Sequence, residues 1–462
     1  MKKGSQALLL IAVVLISLVM LFRKGMQEAS IDELYLASAI FILSMLPFIL
    51  YFSLNERNIP YVPIFGLVYF VYFSLSIFNN YTIFQENYIS QQVMLKTLTL
   101  CLWGIISFLV SFYGSEQIFG NALPHFNISF DVTKVWKWGL RLTILGLAVS
   151  YYTSIKAVPV AFGSIAIFLD QLTLLGMGIL FMTQLEGKLS LRPKMILWFV
   201  FIPIRFSFCL ATGGFSTLVY ETAIFVFIYL YCRQKIPWLF IIIIIIPYIL
   251  IWGARDAFRK QAWTGEYQGR NPFAKAFLYI KLIQQGAKED EDFTYDAYGR
   301  LSLRTNHFVT FAKTVELTPD YIPYWEGYSY RTLTTSFLPR FLFPDKPKKI
   351  VGQEFGHRYD MLNPDDVVTS YNLPMPVEMY INFGPLGVVI GMFIIGLLVR
   401  IVYTLFNHPR CGEGGFLISA MVFMNLLNLE SDFSLVFGSL VQHLVLFYLI
   451  VTRLKMSVQR IE

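Results

Sequence analysis

The feature that most constrains this chain is a series of apolar runs, each close to the length that crosses a lipid bilayer. A transmembrane helix needs roughly 20 predominantly apolar residues. About twelve such runs occur, near 5–22, 33–54, 60–79, 93–113, 137–155, 159–182, 194–211, 215–232, 236–252, 379–404, 414–429 and 433–452. Charged residues make up only 15% of the chain, against roughly 25% in soluble domains. The sequence therefore predicts an all-α polytopic membrane protein.

One long polar segment, residues 253–378, interrupts these runs and divides the chain into 1–252, 253–378 and 379–462. Loops longer than about 15 residues are normally functional or disordered. The aromatic and periodically apolar residues of this segment argue against disorder. We expect one large, mostly helical external cap between spans nine and ten, and we expect it to hold the active site.

The placement of Lys and Arg in short loops indicates the topology, because cytoplasmic loops are enriched in both. With the N-terminus in the cytoplasm, sixteen of them fall at cytoplasmic ends and four in short outer loops. This predicts that both termini are cytoplasmic and that segment 253–378 lies outside. The net charge of +7 is then a topology signal and does not require a nucleic acid partner.

The first helix predicted within the polar segment begins at Asn271-Pro272, with Asn as the cap and Pro in the first turn. One face of this helix is apolar and consists of Phe273, Ala276, Phe277, Ile280 and Ile283. Two interpretations stay open, since such a face either lies on the membrane surface or packs against the rest of the segment.

The second predicted helix runs from Asp296 to Glu316 and is stopped by Thr318-Pro319-Asp320. Its helical period sorts the side chains into two neighbouring faces. The first holds Arg300, Arg304, His307 and Phe311, and the second holds Leu301, Phe308, Ala312 and Val315.

Motifs for cofactors and metals are missing from the sequence. It has no GxSxG, HExxH, P-loop or GxGxxG pattern, so no nucleotide cofactor is expected. The four cysteines are isolated, which indicates neither a disulfide framework nor a zinc site. The acidic run 289–292 contains an Asp-x-Asp pattern, but a solvated charge cluster is the more frequent meaning of such a run.

Cationic side chains give the stronger signal. Arg255 and Arg259 are four residues apart where the ninth span ends, and Arg300 and Arg304 repeat that spacing. The other cations of the segment that we single out are Arg331, Arg340 and Lys346. Guanidinium forks match phosphate oxygens, so several of them at a membrane surface predict a phosphorylated lipid headgroup. The alternative for each one alone is snorkelling or a surface ion pair, such as Arg255 with Asp256.

Arg205 lies inside the seventh apolar run. An unpaired charge there costs at least about 2.5 kcal/mol. A functional role is therefore favoured over a structural one, and Glu221 in the next span is a possible ion-pair partner.

Two stretches, 338–347 (LPRFLFPDKP) and 376–387 (PVEMYINFGPLG), carry a resemblance to a known family. Together with the spans and the single large outer loop, they resemble the bacterial oligosaccharide repeat unit polymerases, also called O-antigen or Wzy-like polymerases. Residues 252–259 share the likeness. In that family an Arg-rich pattern often follows a Gly-rich turn near spans seven and eight. Here the turn Thr212-Gly213-Gly214-Phe215 has no Arg, and Arg205 lies upstream.

The resemblance implies glycosyl transfer between undecaprenyl-pyrophosphate-linked oligosaccharides at the outer face of the bacterial cytoplasmic (inner) membrane. The product would be O-antigen, capsule or exopolysaccharide. The implied partners are these lipid-linked glycans, the bilayer, a chain-length regulator and a flippase. The residues expected to bind pyrophosphate are Arg205, Arg255, Arg259, Arg300, Arg304, Arg331, Arg340 and Lys346. Because guanidinium groups can stabilise a diphosphate leaving group, neither a metal nor a cofactor is expected.

The acceptor hydroxyl needs one general base, worth about 10²–10⁴-fold in rate. Glu378 is the first candidate because it precedes a span within the family-like stretch, and His307 is the second. His357 and Glu354 follow. The structural alternatives are an interfacial helix cap for Glu378 and a packed polar side chain for His307.

Two other functions fit the same sequence. A ligase would move the finished glycan to a different acceptor with the same donor chemistry. A flippase or transporter would move the lipid-linked sugar without joining it, but transporters usually show duplicated halves, and we find none in the sequence.

Overall fold

The computed structural model describes residues 3–54, 58–129, 132–155, 159, 162–235, 237–263, 265–289, 302–340, 342–346 and 350–459. In that part of the chain every regular element is helical, which confirms the all-α prediction.

The helices follow one another along the whole chain. In order they are α1 (Lys3–Gly25), α2 (Ile31–Leu54), α3 (Tyr61–Phe73), α4 (Leu75–Asn79), α5 (Thr82–Glu86), α6 (Gln91–Gly114), α7 (Glu116–Ala122), α8 (Val132–Ile155), α9 (Gly163–Leu185), α10 (Leu191–Ile196), α11 (Ile202–Thr212), α12 (Phe215–Arg233), α13 (Trp238–Trp263), α14 (Pro272–Glu289), α15 (Phe308–Leu317), α16 (Leu333–Ser336), α17 (Val351–Arg358), α18 (Met375–Val402), α19 (Glu413–Leu427) and α20 (Phe433–Gln459). Short π-helical segments, Leu197–Phe201 and Tyr403–Asn407, join α10 to α11 and extend α18.

Six helical stretches of the described residues are long and apolar enough to cross a membrane. They are Ile31–Ser53, Gln91–Gly120, Ile165–Leu185, Leu191–Thr212, Met375–Asn407 and Phe433–Leu454. Two shorter helices, Tyr61–Phe73 and Glu413–Leu427, are also apolar. The membrane character of the chain agrees with the sequence analysis, whereas the number of twelve spans stays a prediction.

One of the most extensive helix packings in the bundle is that of α18 on α6. A Cβ at Gly396 of α18 would lie 2.6 Å from the carbonyl oxygen of Phe108 on α6, so only glycine allows this approach. Ser111 Oγ on α6 donates a hydrogen bond of 2.6 Å to the Phe393 carbonyl. Small residues and interhelical hydrogen bonds of this kind are the usual means of joining helices in a bilayer.

The helices that flank the polar segment extend into it. Helix α13 continues past residue 252 to Trp263, and α18 begins at Met375, ahead of residue 379. Arg255 and Arg259 therefore lie on the last turns of a long helix, and Glu378 lies in the first turn of another.

The predicted helix start at Asn271 is confirmed, since Asn271 Oδ1 accepts a hydrogen bond of 2.8 Å from the backbone N–H of Ala274. The members of the predicted apolar face divide between the surface and the interior of the protein. Phe273, Phe277 and Ile280 are exposed, whereas Ala276 and Tyr279 are buried. Helix α14 packs on α11 and α13 through the face that holds Ala276 and Tyr279. This face is rotated from the predicted apolar one, because the contacts with α11 and α13 bury Tyr279 rather than Phe273 and Phe277.

The second predicted helix is interrupted. Its residues 296–301, including Arg300 and Leu301, lie outside the described part, and the chain leaves helical geometry at Asn306 and His307. The reason is a tertiary bond, since the N–H of His307 donates to the carbonyl of Tyr72 on α3 at 3.0 Å. Helix α15 then begins at Phe308 and ends at Leu317, directly before the predicted stop. Its predicted apolar face is confirmed as buried, with Phe308, Ala312 and Val315 in the core.

Candidate functional site

Arg255 and Arg259 project from the end of α13 without an ion-pair partner in the described part of the chain. The guanidinium of Arg255 stacks on Trp252 at 4.4 Å, and that of Arg259 stacks on Trp263 at 4.5 Å. The Nε atoms of both are buried and have no hydrogen-bond partner among the described residues. Each side chain thus has one donor that the described residues leave unsatisfied.

A glycine turn fixes the position of Arg259. Gly213, which follows α11, has φ +63°, and a Cβ there would lie 2.9 Å from the Phe258 ring. Glycine is the residue that tolerates both constraints. The carbonyl of Gly213 accepts a hydrogen bond of 3.2 Å from Arg259 Nη2. The turn has no arginine of its own, but α13 brings one to it.

Arg304 and His307 meet at a carboxylate that the sequence analysis missed, that of Glu430 in the loop between α19 and α20. Arg304 Nη2 lies 2.7 Å from Glu430 Oε2, and His307 Nε2 lies 3.4 Å from the same oxygen. The second distance is longer than an ordinary hydrogen bond. Asn372 Nδ2 donates to that oxygen at 3.1 Å, and the Tyr72 ring packs edge-on against His307 at 4.7 Å.

The two partners shift each other's protonation. Burial lowers the pKa of His307 below its ordinary value, although the contact with Glu430 acts in the opposite direction. Burial raises the pKa of Glu430, but the contact with His307 and the charge of Arg304 outweigh it, so that the pKa of Glu430 lies below its ordinary value. A neutral imidazole therefore faces an ionised carboxylate near neutral pH.

These groups belong to one cluster. Burial lowers the pKa of Arg255 and of Arg259, the negative charge of Asp256 opposes this, and the positive charge of Arg304 acts in the same direction as burial. Arg255 also lowers the pKa of Arg259. We name Arg255, Arg259, Arg304, His307 and Glu430 the arginine cluster. Of its three guanidinium groups only that of Arg304 pairs with Glu430, and the charge of the neighbouring Asp256 acts on Arg255 and Arg259. With both carboxylates counted, the cluster keeps a positive excess.

The other predicted cations of the polar segment have local roles. Arg331 stacks on Tyr328 at 3.7 Å and lies 3.8 Å from Glu354. Arg340 Nη1 donates to the carbonyl of Lys346 at 2.9 Å, and Lys346 Nζ donates to the carbonyl of Ser336 at 2.7 Å. These bonds close the family-like stretch on itself. Their role in pyrophosphate binding stays a prediction.

The predicted base Glu378 is fully buried. Its Oε2 accepts a hydrogen bond of 2.6 Å from the backbone N–H of Phe433, the first residue of α20. It therefore caps a different helix from its own. Glu354 accepts from the hydroxyl of Tyr328 at 2.7 Å, and His357 Nε2 lies 3.0 Å from the Asp366 carbonyl.

A second ionic group lies between α8, α9, α11 and α12, around Arg205. Its guanidinium donates to Glu221 Oε1 at 2.7 Å and to both oxygens of Asp170 at 2.6 and 2.8 Å. Ser150 Oγ accepts a further bond at 2.8 Å. The predicted pairing with Glu221 is confirmed. Asp170 was missed, although the cost of a lone carboxylate in the run 159–182 was a usable signal. We name these four residues the carboxylate network.

Two cavities meet at this network. One has a volume of about 280 Å³, and its walls are mainly apolar. The other has a volume of about 450 Å³, and its walls are also mainly apolar. Its polar lining residues include Thr153, Ser154, Asp170 and Thr212, and Gly163 lies at its wall. Arg205 and Cys209 line both cavities. We name the second cavity the vestibule.

The described residues contain no group of His, Cys, Asp and Glu that would hold a metal ion. Of the acidic run 289–292, only Glu289 is among them.

Comparison with known proteins gives a family. The model described as Domain of unknown function (DUF8712) matches residues 124–458, which is more than half of the chain. The chain belongs to the DUF8712 family. No curated protein and no solved structure matches it.

The DUF8712 match contains both ionic groups in full. The carboxylate network spans Ser150 to Glu221, and the arginine cluster spans Arg255 to Glu430, so both lie inside residues 124–458. Tyr72, which packs on His307, comes from the part of the chain that precedes the match.

Proposed function

We propose that this DUF8712 protein is a membrane-embedded glycosyltransferase that joins oligosaccharide repeat units carried on a polyprenyl pyrophosphate lipid, as O-antigen polymerases do. The observation that carries the proposal is the arginine cluster. Among the described residues, Arg255 and Arg259 have aromatic and carbonyl partners and no carboxylate at ion-pair distance, although the charge of Asp256 acts on both, and Arg304 adds a third positive charge. A diphosphate would supply the missing negative charge.

The chemistry requires charge stabilisation at the leaving group. The acceptor oxygen attacks the anomeric carbon, the bond from that carbon to the diphosphate oxygen breaks, and its electron pair leaves with the diphosphate. Fixed guanidinium groups stabilise the charge that develops there, and removal of one such donor typically costs about 10²–10³-fold in rate. Charge-assisted bonds from Arg to phosphate are about twice as strong as neutral ones.

The proton of the acceptor hydroxyl is assigned to Glu430. Its side chain keeps 24% of its surface exposed, whereas those of His307 and Glu378 are almost or fully buried. Diphosphate competes with Glu430 for Arg304, and loss of that neighbour raises the pKa of the carboxylate. Substrate binding would thereby turn a paired glutamate into a stronger base. His307 contacts the same carboxylate through its Nε2 atom.

The topology belongs to the same proposal. We infer twelve spans with both termini in the bacterial cytoplasm, and the arginine cluster on the outer face of the cytoplasmic membrane. The support is the excess of Lys and Arg at one set of loop ends. A flippase and a chain-length regulator would be the partners in the membrane.

The decisive experiment uses the purified protein in lipid nanodiscs with a pyrophosphate-linked repeat unit. A ladder of lengthened glycans supports polymerisation, and Glu430→Gln should lower the rate by about 10²–10⁴-fold, as expected for loss of a general base. Transfer to a different acceptor without a ladder would identify a ligase. Movement of the labelled lipid across liposomes, with no change in glycan length, would identify a transporter and end the proposal.

A further inference from the structure

The vestibule is a built cavity that the transfer reaction above leaves without a role. Its lining begins at the exposed Thr212 and the half-buried Gly163 and ends at the buried Arg205. The side chain of Asp170 is 31% exposed beside it. The cavity thus leads from the surface of the protein to the carboxylate network.

The hydroxyl groups that line the vestibule already donate hydrogen bonds to backbone carbonyls. Thr153 donates to a backbone carbonyl at 3.1 Å, Ser154 to another at 2.7 Å and Thr212 to a third at 2.8 Å. Each hydroxyl oxygen keeps acceptor lone pairs. With the carboxylate of Asp170, the lining offers acceptors to an occupant, so the matching occupant is rich in hydrogen-bond donors.

The charge at the base of the vestibule excludes anions. The single guanidinium of Arg205 faces the two carboxylates of Asp170 and Glu221. The network is negative when both carboxylates are ionised and neutral when one is protonated, and in neither state is it positive. A ligand with its own carboxylate or phosphate would therefore meet like charge or no net charge there, and in neither state an unpaired positive group that could bind it.

The vestibule and the arginine cluster share one turn of the chain. Thr212 lines the vestibule, and the carbonyl of the next residue, Gly213, accepts the hydrogen bond from Arg259. A group bound in the vestibule therefore lies across this turn from the proposed diphosphate site.

We propose that the vestibule binds a sugar residue of one of the two glycans, that it accepts neutral and amino sugars, and that it excludes uronic acids. Sugar hydroxyls and ammonium groups provide the donors that the lining requires. The identification of the ligand as part of a glycan substrate rests on the proposed function, whereas the preference for donors over anions rests on the vestibule alone.

The test blocks the vestibule with one side chain. Gly163 lines the cavity and a Cβ there meets open space, so Gly163→Leu adds an isobutyl group at the cavity wall from a position that accepts a side chain. Gly114, the last residue of α6, also has open space around a Cβ and does not line the vestibule, which makes Gly114→Leu the matched control. The probes are glucose, glucosamine and glucuronic acid, measured by saturation-transfer NMR on the protein in nanodiscs.

Glucose and glucosamine should give signals with the wild type and with Gly114→Leu, and the signals should be lost with Gly163→Leu. Glucuronic acid should give a weaker signal than either. No signal from the wild type, equal signals from both variants, or a preference for glucuronic acid would overturn the proposal. The glycan ladder separates the two proposals. If Gly163→Leu extends glycans as the wild type does, the vestibule is not a substrate site, and the polymerase proposal stands. If the wild type binds the sugars in the vestibule but extends no glycan, the polymerase proposal fails, and the vestibule site stands.

Discussion

Arg205 and Arg259 lie on neighbouring helices of the same protein, but their surroundings differ in sign. Arg205 is 5% exposed and has two carboxylates and a hydroxyl as partners. Arg259 is half-buried and has a tryptophan ring and one backbone carbonyl. The first guanidinium is neutralised by carboxylates in contact with it, whereas the second has no carboxylate at ion-pair distance among the described residues and is opposed by the charge of Asp256.

The difference teaches that the partners of an arginine, rather than its position in an apolar run, indicate an anion site. A buried charge must be paired, because desolvation costs several kcal/mol per ion. The pairing at Arg205 therefore follows from burial alone. At the end of α13 water is nearby, so Arg255 and Arg259 are tolerated with weak partners. The predicted role of Arg205 in pyrophosphate binding stays untested, but a diphosphate would have to displace two carboxylates there.

The largest expected effect is a loss of stability when Arg205 is replaced. Arg205→Leu leaves Asp170 and Glu221 side by side without a counter-charge, and removal of one partner of a buried ion group costs about 3–5 kcal/mol. Thermal unfolding in detergent should show a large loss of stability. The triple variant Arg205→Leu, Asp170→Asn, Glu221→Gln removes all the charges and should recover most of it. A triple variant no more stable than the single one would show that packing, rather than charge, is what Arg205 supplies.

The second prediction concerns the catalytic role of Arg255 and Arg259. Arg255→Ala and Arg259→Ala should each lower the rate of glycan extension by about 10²–10³-fold, the range for loss of one donor to a developing anion. Stability should change little, because neither side chain pairs with a carboxylate among the described residues.

The matched control for that prediction is Arg358→Ala. Arg358 also stacks on a tryptophan, Trp325 at 5.6 Å, and donates to a backbone carbonyl at 2.6 Å. It lies outside the arginine cluster, so its loss should leave the rate unchanged. Equal losses of rate in all three variants would remove the distinction between the cluster and an ordinary surface arginine.

The third prediction uses pH to test the pairing within the cluster. The contact with His307 lowers the pKa of Glu430, so His307→Asn should raise that pKa towards its ordinary value. Activity requires the ionised base, and the acidic limb of the rate profile should therefore move to higher pH. If His307 itself is the base, His307→Asn should instead abolish most of the rate, and the fall in rate at acidic pH should disappear from the profile. Rates of wild type and variant measured from pH 4 to 8 decide between the two.

The sequence predicted the local features of the fold better than the long-range ones. The capped start of α14 and the stop after α15 depend on residues next to each other in the chain, and both are confirmed. The break at His307 depends on a carbonyl of α3, and Glu430 meets Arg304 across more than a hundred residues. No local pattern marks such contacts. The grouping of Arg255 with Arg304 was expected from their chemistry, but the carboxylate that pairs with Arg304 was not.

The smallest expected effect concerns Glu378, a second glutamate whose surroundings contrast with those of Glu430. The carboxylate of Glu378 is fully buried and caps the first turn of α20 through the N–H of Phe433. An amide oxygen can accept the same bond, so Glu378→Gln should cost about 1 kcal/mol, the usual scale for a helix cap. Glycan extension per folded molecule should stay at the wild-type rate, since the residue has no exposed surface from which to reach a hydroxyl.

Thermal unfolding and the ladder assay on the same Glu378→Gln preparation separate structure from chemistry. A variant that keeps its melting temperature but loses the ladder would return the role of base to Glu378, as the family-like stretch around it suggests. Glu430→Gln, in the same assay, should show the reverse pattern of stability kept and rate lost. The pair of variants therefore tests whether exposure, rather than position in a recognisable motif, decides which glutamate takes the proton.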